Sequence, residues 1–491
     1  MENWQGKSKQ AVTIILYGIL LVYSFFIFFF QSPFVSSWDA VDFVLGVEQF
    51  DLLKMQPHFP GYPYFILGGM FINVFLDDPA SALITFNQLL IISASLPIIL
   101  LVRNYVQGLR LALVVLVVQT LSYIALLSGQ AMSEAAAIGV LWWFLWSVSI
   151  SLKSKSIFVR LLPALLFSLL LGIRLSYLPF GIALLFIWFK EWKETRQAIR
   201  IILHLVFALL CQLVWVLALA YSEGGIVPFI ELSLAFTQGH FQEWGGTAVA
   251  NDIGIFQRIF QLTLGNFFWN GLAVRSIILA VLYSVLFGLF IFYTIKEKKS
   301  SMLTTNKLLL ATFISYFIWA LFAQNIEKPR HISPLLGIFT LVTSMQLLRL
   351  TKGKMKIVAA LLLLLLTCGQ VYKSFDVMEL QKNEHPSEYQ LATSKILTEK
   401  DLLFTWEETR VLHYLNVPFT HDRVLTYQFF LQKKYEHKSG KIYVTNKVVE
   451  GFKKQGIEVE KYITKVAEFS SSSFIDPVYY KIELYEWHEG R

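Results

Sequence analysis

Residues 62–76 read YPYFILGGMFINVFL, and whether this run crosses a bilayer fixes the side on which every later loop lies. As a helix its 15 residues span roughly 22 Å, short of a hydrocarbon core about 30 Å thick. Pro63 and the Gly68-Gly69 pair weaken it further, so an interfacial helix is expected. A second run, 161–189, has Arg174 and Pro179 at its middle and basic clusters at both ends (Lys153, Lys155, Arg160; then Lys190, Lys193, Arg196, Arg200). That pattern predicts two short helices meeting near Arg174, which return the chain to the side it left.

Around these two runs lie nine full-length apolar segments, at about 11–30, 80–102, 111–127, 133–150, 201–221, 273–295, 307–323, 332–348 and 355–372. The whole chain of 491 residues is 55% hydrophobic and 15% charged, against roughly 45–50% and about 25% for soluble domains. A soluble enzyme is thereby excluded. The run 11–30 is long enough to span and has no small-residue cleavage site, so it reads as an anchor and not as a signal peptide. Cys211 and Cys368 both sit in apolar runs, which gives neither a disulfide framework nor a metal-ligand spacing.

The net charge of +8 is then a topology signal and carries no hint of nucleic acid. With nine full and two short crossings, the N-terminus inside and the C-terminus outside, the cytoplasmic segments hold nineteen Lys/Arg and four Asp/Glu. The outer segments before the tail hold six and twelve. Every cytoplasmic loop obeys the positive-inside rule. Letting 62–76 cross would send the Lys296, Lys298, Lys299 and Lys352, Lys354, Lys356 clusters outward. The fold class is an all-α polytopic membrane protein with about eleven transmembrane helices and interfacial helices, in a membrane domain over 1–372. From 373 to 491 charge rises and apolar runs shorten to strand and helix length, which predicts a small extracytoplasmic α/β domain. Its expected strands are 401–406, 441–445 and 478–487; its expected helices are 407–415, 427–435 and 447–455.

The candidate chemistry gathers on the outer face. The loop 31–61 contains Asp39, Asp42, Glu48, Asp51 and His58. Carboxylates there can take a proton from a hydroxyl nucleophile, although acids in a water-facing loop are also ordinary solvation. Asp39 stands out because it follows Trp38 at the membrane exit, where partial desolvation suits a carboxylate to accepting a proton. The turn SGQAMSE ends on Glu134, where a helix begins, and a first-turn acid can equally serve the helix dipole. The stretch QNIEKPRHISP gathers Lys328, Arg330 and His331 beside the bilayer, donors suited to a lipid-linked phosphate or, for Lys328, to interfacial snorkelling. Arg174, costly in lipid unless paired, is either a second phosphate ligand or the partner of an acid such as Glu134. The segment 221–274, with His240, Glu243 and Asp252, has the length of a lid or acceptor-binding loop, and its spacing matches no metal pattern.

These residues resemble a family. WDAVDFVLGVEQFD followed by QPHFPGYPYFILGG is similar to the first outer loop of the integral-membrane, polyprenyl-phosphate-sugar-dependent glycosyltransferases, including protein O-mannosyltransferase-like and aminoarabinose-transferase-like enzymes. SGQAMSE, the G-x-R-x-S-Y-x-P of 172–179 and KPRHISP resemble its later landmarks, so the likeness spans roughly 10–372. The resemblance implies that Asp39, with Asp42 and Glu134 as further catalytic candidates, activates the acceptor hydroxyl. It implies that Arg330, His331, Arg174 and Lys328 hold the donor phosphate, and that His58, Pro60, Gly61 and Tyr62 form the first-loop motif. Phe59 departs from the usual His-Pro-Pro, and Glu134 stands where many relatives have Asp.

The expected function is transfer of a sugar from a polyprenyl phosphate to a hydroxyl-type acceptor at the outer face of a bacterial plasma membrane, with inversion and no required cofactor. The acceptor, whether protein, lipid or glycan, is not named by the sequence. A lipid-linked sugar transporter or flippase is the alternative, but it should carry midplane charges and paired broken helices in repeated halves. Here the acids lie at the outer surface and no repeat is visible.

Overall fold

The computed structural model describes residues 2–249, 253–297 and 304–488, so Asp252, Lys298 and Lys299 lie outside the described residues. Two compact units divide the chain: one comprises Met1–Gln31 with Val44–Glu379, the other Ser32–Phe43 with Leu380–Arg491.

In the first unit, eight helices among the described residues are long and apolar enough to cross a membrane, or nine when a bent pair is counted as one span. They fall on the nine full-length runs. The bent pair is Leu109–Gln119 and Ser122–Ser128, angled by 53°. Its broken ladder is repaired by side chains, as helices in lipid require. Thr120 Oγ1 donates to Leu116 O (2.8 Å) and Gln370 Oε1 (3.0 Å), Ser122 Oγ donates to Gln370 O (2.7 Å), and Gln370 Nε2 donates to Tyr283 Oη (2.6 Å). The helices Glu134–Ser151 and Pro329–Leu350 are central, 83% of each window being buried, whereas Ala198–Ser222 and Ile277–Lys296 are 17% buried and face outward. Exposed Leu21, Val74, Phe158 and Phe256 belong to that lipid-ready exterior.

The two runs of uncertain crossing are both hairpin arms. Pro63–Leu76 turns at Asp77-Asp78 into Pro79–Ser93, and the arms approach closely where Gly68 and Gly69 lie against Phe86 and Leu83. The second run is Ile157–Ile173, a break at Arg174, a short 3-10 turn Leu175–Gly181, and Ile182–Thr195. Its far ends meet: buried Arg160 pairs with Glu191 and Glu194, and Arg200 reaches Glu191 at 3.2 Å. The chain therefore comes back to the end it started from, as the flanking basic clusters predicted. The segment 221–274, read as a long loop, is instead largely helical, with Ile226–Gly239, Ile255–Phe260 and wide turns over His240–Trp244 and Gln261–Leu272.

The second unit holds a five-stranded sheet of order β2-β1-β3-β5-β4, with β1 Leu402–Thr405, β2 Thr420–Arg423, β3 Ile442–Thr445, β4 Ile463–Ser470 and β5 Lys481–Trp487. β1 runs parallel to β2 and β3, and β5 antiparallel to β3 and β4. Alternation splits the core in two: Leu402, Phe404, Val444 and Trp487 pack with Phe430 and Phe452, and Leu403, Tyr443, Ile482 and Leu484 with Leu391, Leu412 and Phe419. The three expected strands are β1, β3 and β5. The three expected helices are Glu408–Tyr414, Tyr427–Glu436 and Asn446–Lys454. β2, β4 and the helix Ser387–Thr393 were not expected.

Candidate functional site

Three elements of the membrane unit bring charged groups together. Glu134 opens the helix Glu134–Ser151, Arg174 occupies the extended residue at the hairpin break, and Arg330 with His331 forms a 3-10 turn, Pro329–Ile332, ahead of Ser333–Leu350. Glu134 is 1% exposed, and its Oε1 lies 3.0 Å from Arg174 Nη2 and 3.0 Å from Arg330 Nε. Arg174 Nη1 donates to Ser133 Oγ at 2.8 Å, and its Nη2 lies 3.3 Å from His331 Nδ1. A guanidinium only donates, so Nδ1 accepts and that contact selects the Nε2–H tautomer. Arg174 is thus the partner of Glu134, the structural alternative left open above. Its place beside Arg330 and His331 keeps it in the same cationic cluster.

Glu134 thus faces two guanidiniums, and half-buried Lys328 stands at the N-cap of the 3-10 turn. The site also lies at the N-termini of two spanning helices, where backbone N–H groups and the dipole favour an anion. Buried Tyr177 and Tyr316 wall the cluster: their rings are 5.5 Å apart, and Tyr316 Oη donates to His331 O at 2.8 Å.

The first-loop motif is a tight, aromatic corner. Gly61 has φ +85°, a left-handed backbone that favours glycine, and a Cβ there would press on Leu52 and Leu219 at 3.1 Å. His58 is buried, with Nε2 3.2 Å from Tyr62 Oη and its ring stacked on Phe236. Half-buried Pro60 continues the corner. Asp39 and Asp42 both lie on a helix, Trp38–Glu48, within a stretch read as a loop. Asp39 is half-buried in its first turn; Asp42 is fully buried, 2.7 Å from Arg410 Nε.

Several supporting residues were missed. Asn87 and Gln88 are fully buried on the spanning helix after Asp78. Asn87 Nδ2 donates to Gln130 O (2.8 Å) and Met132 O (2.7 Å), and its Oδ1 accepts from Ala136 N (2.9 Å), so it grips both sides of the turn that presents Glu134. Two adjacent amides inside an apolar run were the available signal, since such groups persist in lipid when satisfied. Fully buried Arg258 donates to the carbonyls of Leu321 (2.8 Å), Gln324 (2.7 Å) and Gly246 (3.2 Å), and Asn266 donates to Ile326 O (2.7 Å). With His240 Nε2 3.1 Å from Ala323 O, they brace the stretch leading to Lys328. Glu243 is exposed.

No family model and no curated protein matches the sequence. The structure, however, is similar to that of ArnT from Cupriavidus metallidurans bound to undecaprenyl phosphate, with a TM-score of 0.57 at 9% identity over 96% of this chain and 97% of that one. The apo state of the same protein gives a TM-score of 0.54 at 9% identity with the same coverage. The fold is therefore that of ArnT.

Proposed function

We propose that this protein is an integral-membrane glycosyltransferase that moves a sugar from a polyprenyl-phosphate donor to a hydroxyl-type acceptor at the outer membrane face. The observation that carries the reading is the cluster of Arg174, Arg330 and His331 around buried Glu134 at two helix N-termini. The ArnT neighbour solved with undecaprenyl phosphate supports a lipid phosphate as the anion. Arg330, His331 and Lys328 stabilise the charge that grows on the phosphate as the glycosidic bond breaks, and Arg174 keeps Arg330's carboxylate partner in place. Asp39 takes the acceptor's proton, and a single in-line displacement inverts the anomeric carbon. Residues 1–372 act as the transferase domain and 373–491 as an extracytoplasmic domain, with the N-terminus cytoplasmic.

The test uses purified protein in detergent with undecaprenyl-phosphate donors carrying mannose, glucose or 4-aminoarabinose. Wild-type protein releases or transfers one of these sugars, whereas Asp39→Asn abolishes the reaction at unchanged protein level. Retained transfer in the variant removes Asp39 from its role. Activity that needs a sealed vesicle favours a transporter, since chemistry needs no closed compartment.

A further inference from the structure

The segment Ser32–Phe43 precedes most of the membrane region in sequence but folds within the C-terminal unit. Its attachment is specific at both ends. Val35 N donates to Tyr389 Oη at 2.9 Å, and Phe34 packs against the Tyr389 ring at 5.0 Å. At the other end, fully buried Asp42 accepts from Arg410 Nε at 2.7 Å, Arg410 standing on the helix Glu408–Tyr414. The Arg410 guanidinium also lies 5.7 Å from the centre of the Trp38 ring. Arg423, the last residue of β2, is held between Trp38 at 5.0 Å and Trp406 at 4.6 Å.

A carboxylate removed from water is stable only with such partners, and Arg410 is one that holds Asp42. Asp39 lies one helical turn before Asp42, on the same face. Anchoring Trp38 and Asp42 therefore sets the rotation and height of the residue between them. We propose that Arg410 is a positioning residue: the C-terminal unit holds the helix that carries Asp39 in its working orientation, through Asp42 and Trp38. The proposal rests on the role given to Asp39 above.

The experiment compares Arg410→Gln, Arg410→Lys and Asp42→Asn in the full-length protein in detergent, reading amide exchange in residues 32–43 and the kinetics of sugar transfer. Arg410→Gln and Asp42→Asn each speed exchange there by about tenfold or more. They lower kcat by about a hundredfold, the scale of a small misplacement of a reacting group, with KM for the lipid donor within about twofold. The double variant is no worse than either single change. Arg410→Lys, which keeps the charge over Trp38 and is the variant best able to fold, recovers part of kcat. Unchanged exchange in Arg410→Gln overturns the clamp regardless of activity. Faster exchange at wild-type kcat overturns the positioning role and leaves the transferase reading standing, because Asp39→Asn tests that separately.

Discussion

Glu134 shows how much of one side chain's setting can be read before the fold is known. Its place at a helix start was legible, because an acid after a short polar turn announces an N-terminus. Its partner Arg174, 40 positions away, was legible as one of two alternatives; Arg330, 196 positions away, was not, since only the fold brings both to one oxygen. Removing it leaves two cations largely out of water. Glu134→Ala should cost about 3–5 kcal/mol, the range for breaking a buried pair, read as a lower unfolding temperature in detergent. A change near zero would mean that water already solvates the cluster. Glu408, in the C-terminal unit, makes a second residue-scale case. It is 1% exposed and accepts from Trp406 N at 2.8 Å, and burial pushes its carboxyl above the usual range. A raised value favours the protonated folded state. Its stabilisation is therefore complete below the ordinary carboxylate value of 4.5 and is lost as pH rises through the folded one. Glu408→Gln should flatten this slope, slowing amide exchange in β1 relative to wild type at about pH 8 but not at about pH 4. An equal effect at both values would assign the change to packing.

At the scale of elements, legibility followed burial. β1 and β3 sit inside the sheet and read LLFT and IYVT, apolar enough to stand out. β2 and β4 are the edges, and THDR and ITKVAEFS carry the charges that an edge strand facing water tolerates and benefits from. They escaped notice for that reason. The helix Trp38–Glu48 escaped for the opposite one: its acids suggested a solvated loop, although Val41, Phe43, Val44 and Val47 bury an apolar face. The turn before Glu134 depends on a neighbouring helix through Asn87, whose amide serves three backbone groups. Asn87→Ala should cost about 1–3 kcal/mol for each backbone group left unpaired. It should also lower undecaprenyl-phosphate affinity without reducing protein level, measured by thermal shift and lipid titration. Wild-type lipid binding would show that the turn holds Glu134 unaided.

Across the whole molecule, the nine full-length apolar runs located the long apolar helices. What composition could not supply was the membership of Ser32–Phe43 in the C-terminal unit, because that depends on pairings hundreds of residues apart. The expected topology has a direct test. On the expected topology, single cysteines at Leu53 and Ala80 both react with an impermeant thiol reagent added outside intact cells; a protected Ala80 would mean that Pro63–Leu76 crosses and would invert every later loop. The hairpin Ile157–Thr195 bears on how the protein is built into the membrane. Arg160 is 3% exposed and Glu191 fully buried, so the charge of each arm is met by the other, with Arg200 of the next helix as a second partner of Glu191. The two arms are thus tied at their far ends, and each reaches its final pairing only once the other has emerged from the ribosome, so closure of the hairpin follows synthesis of Ile182–Thr195.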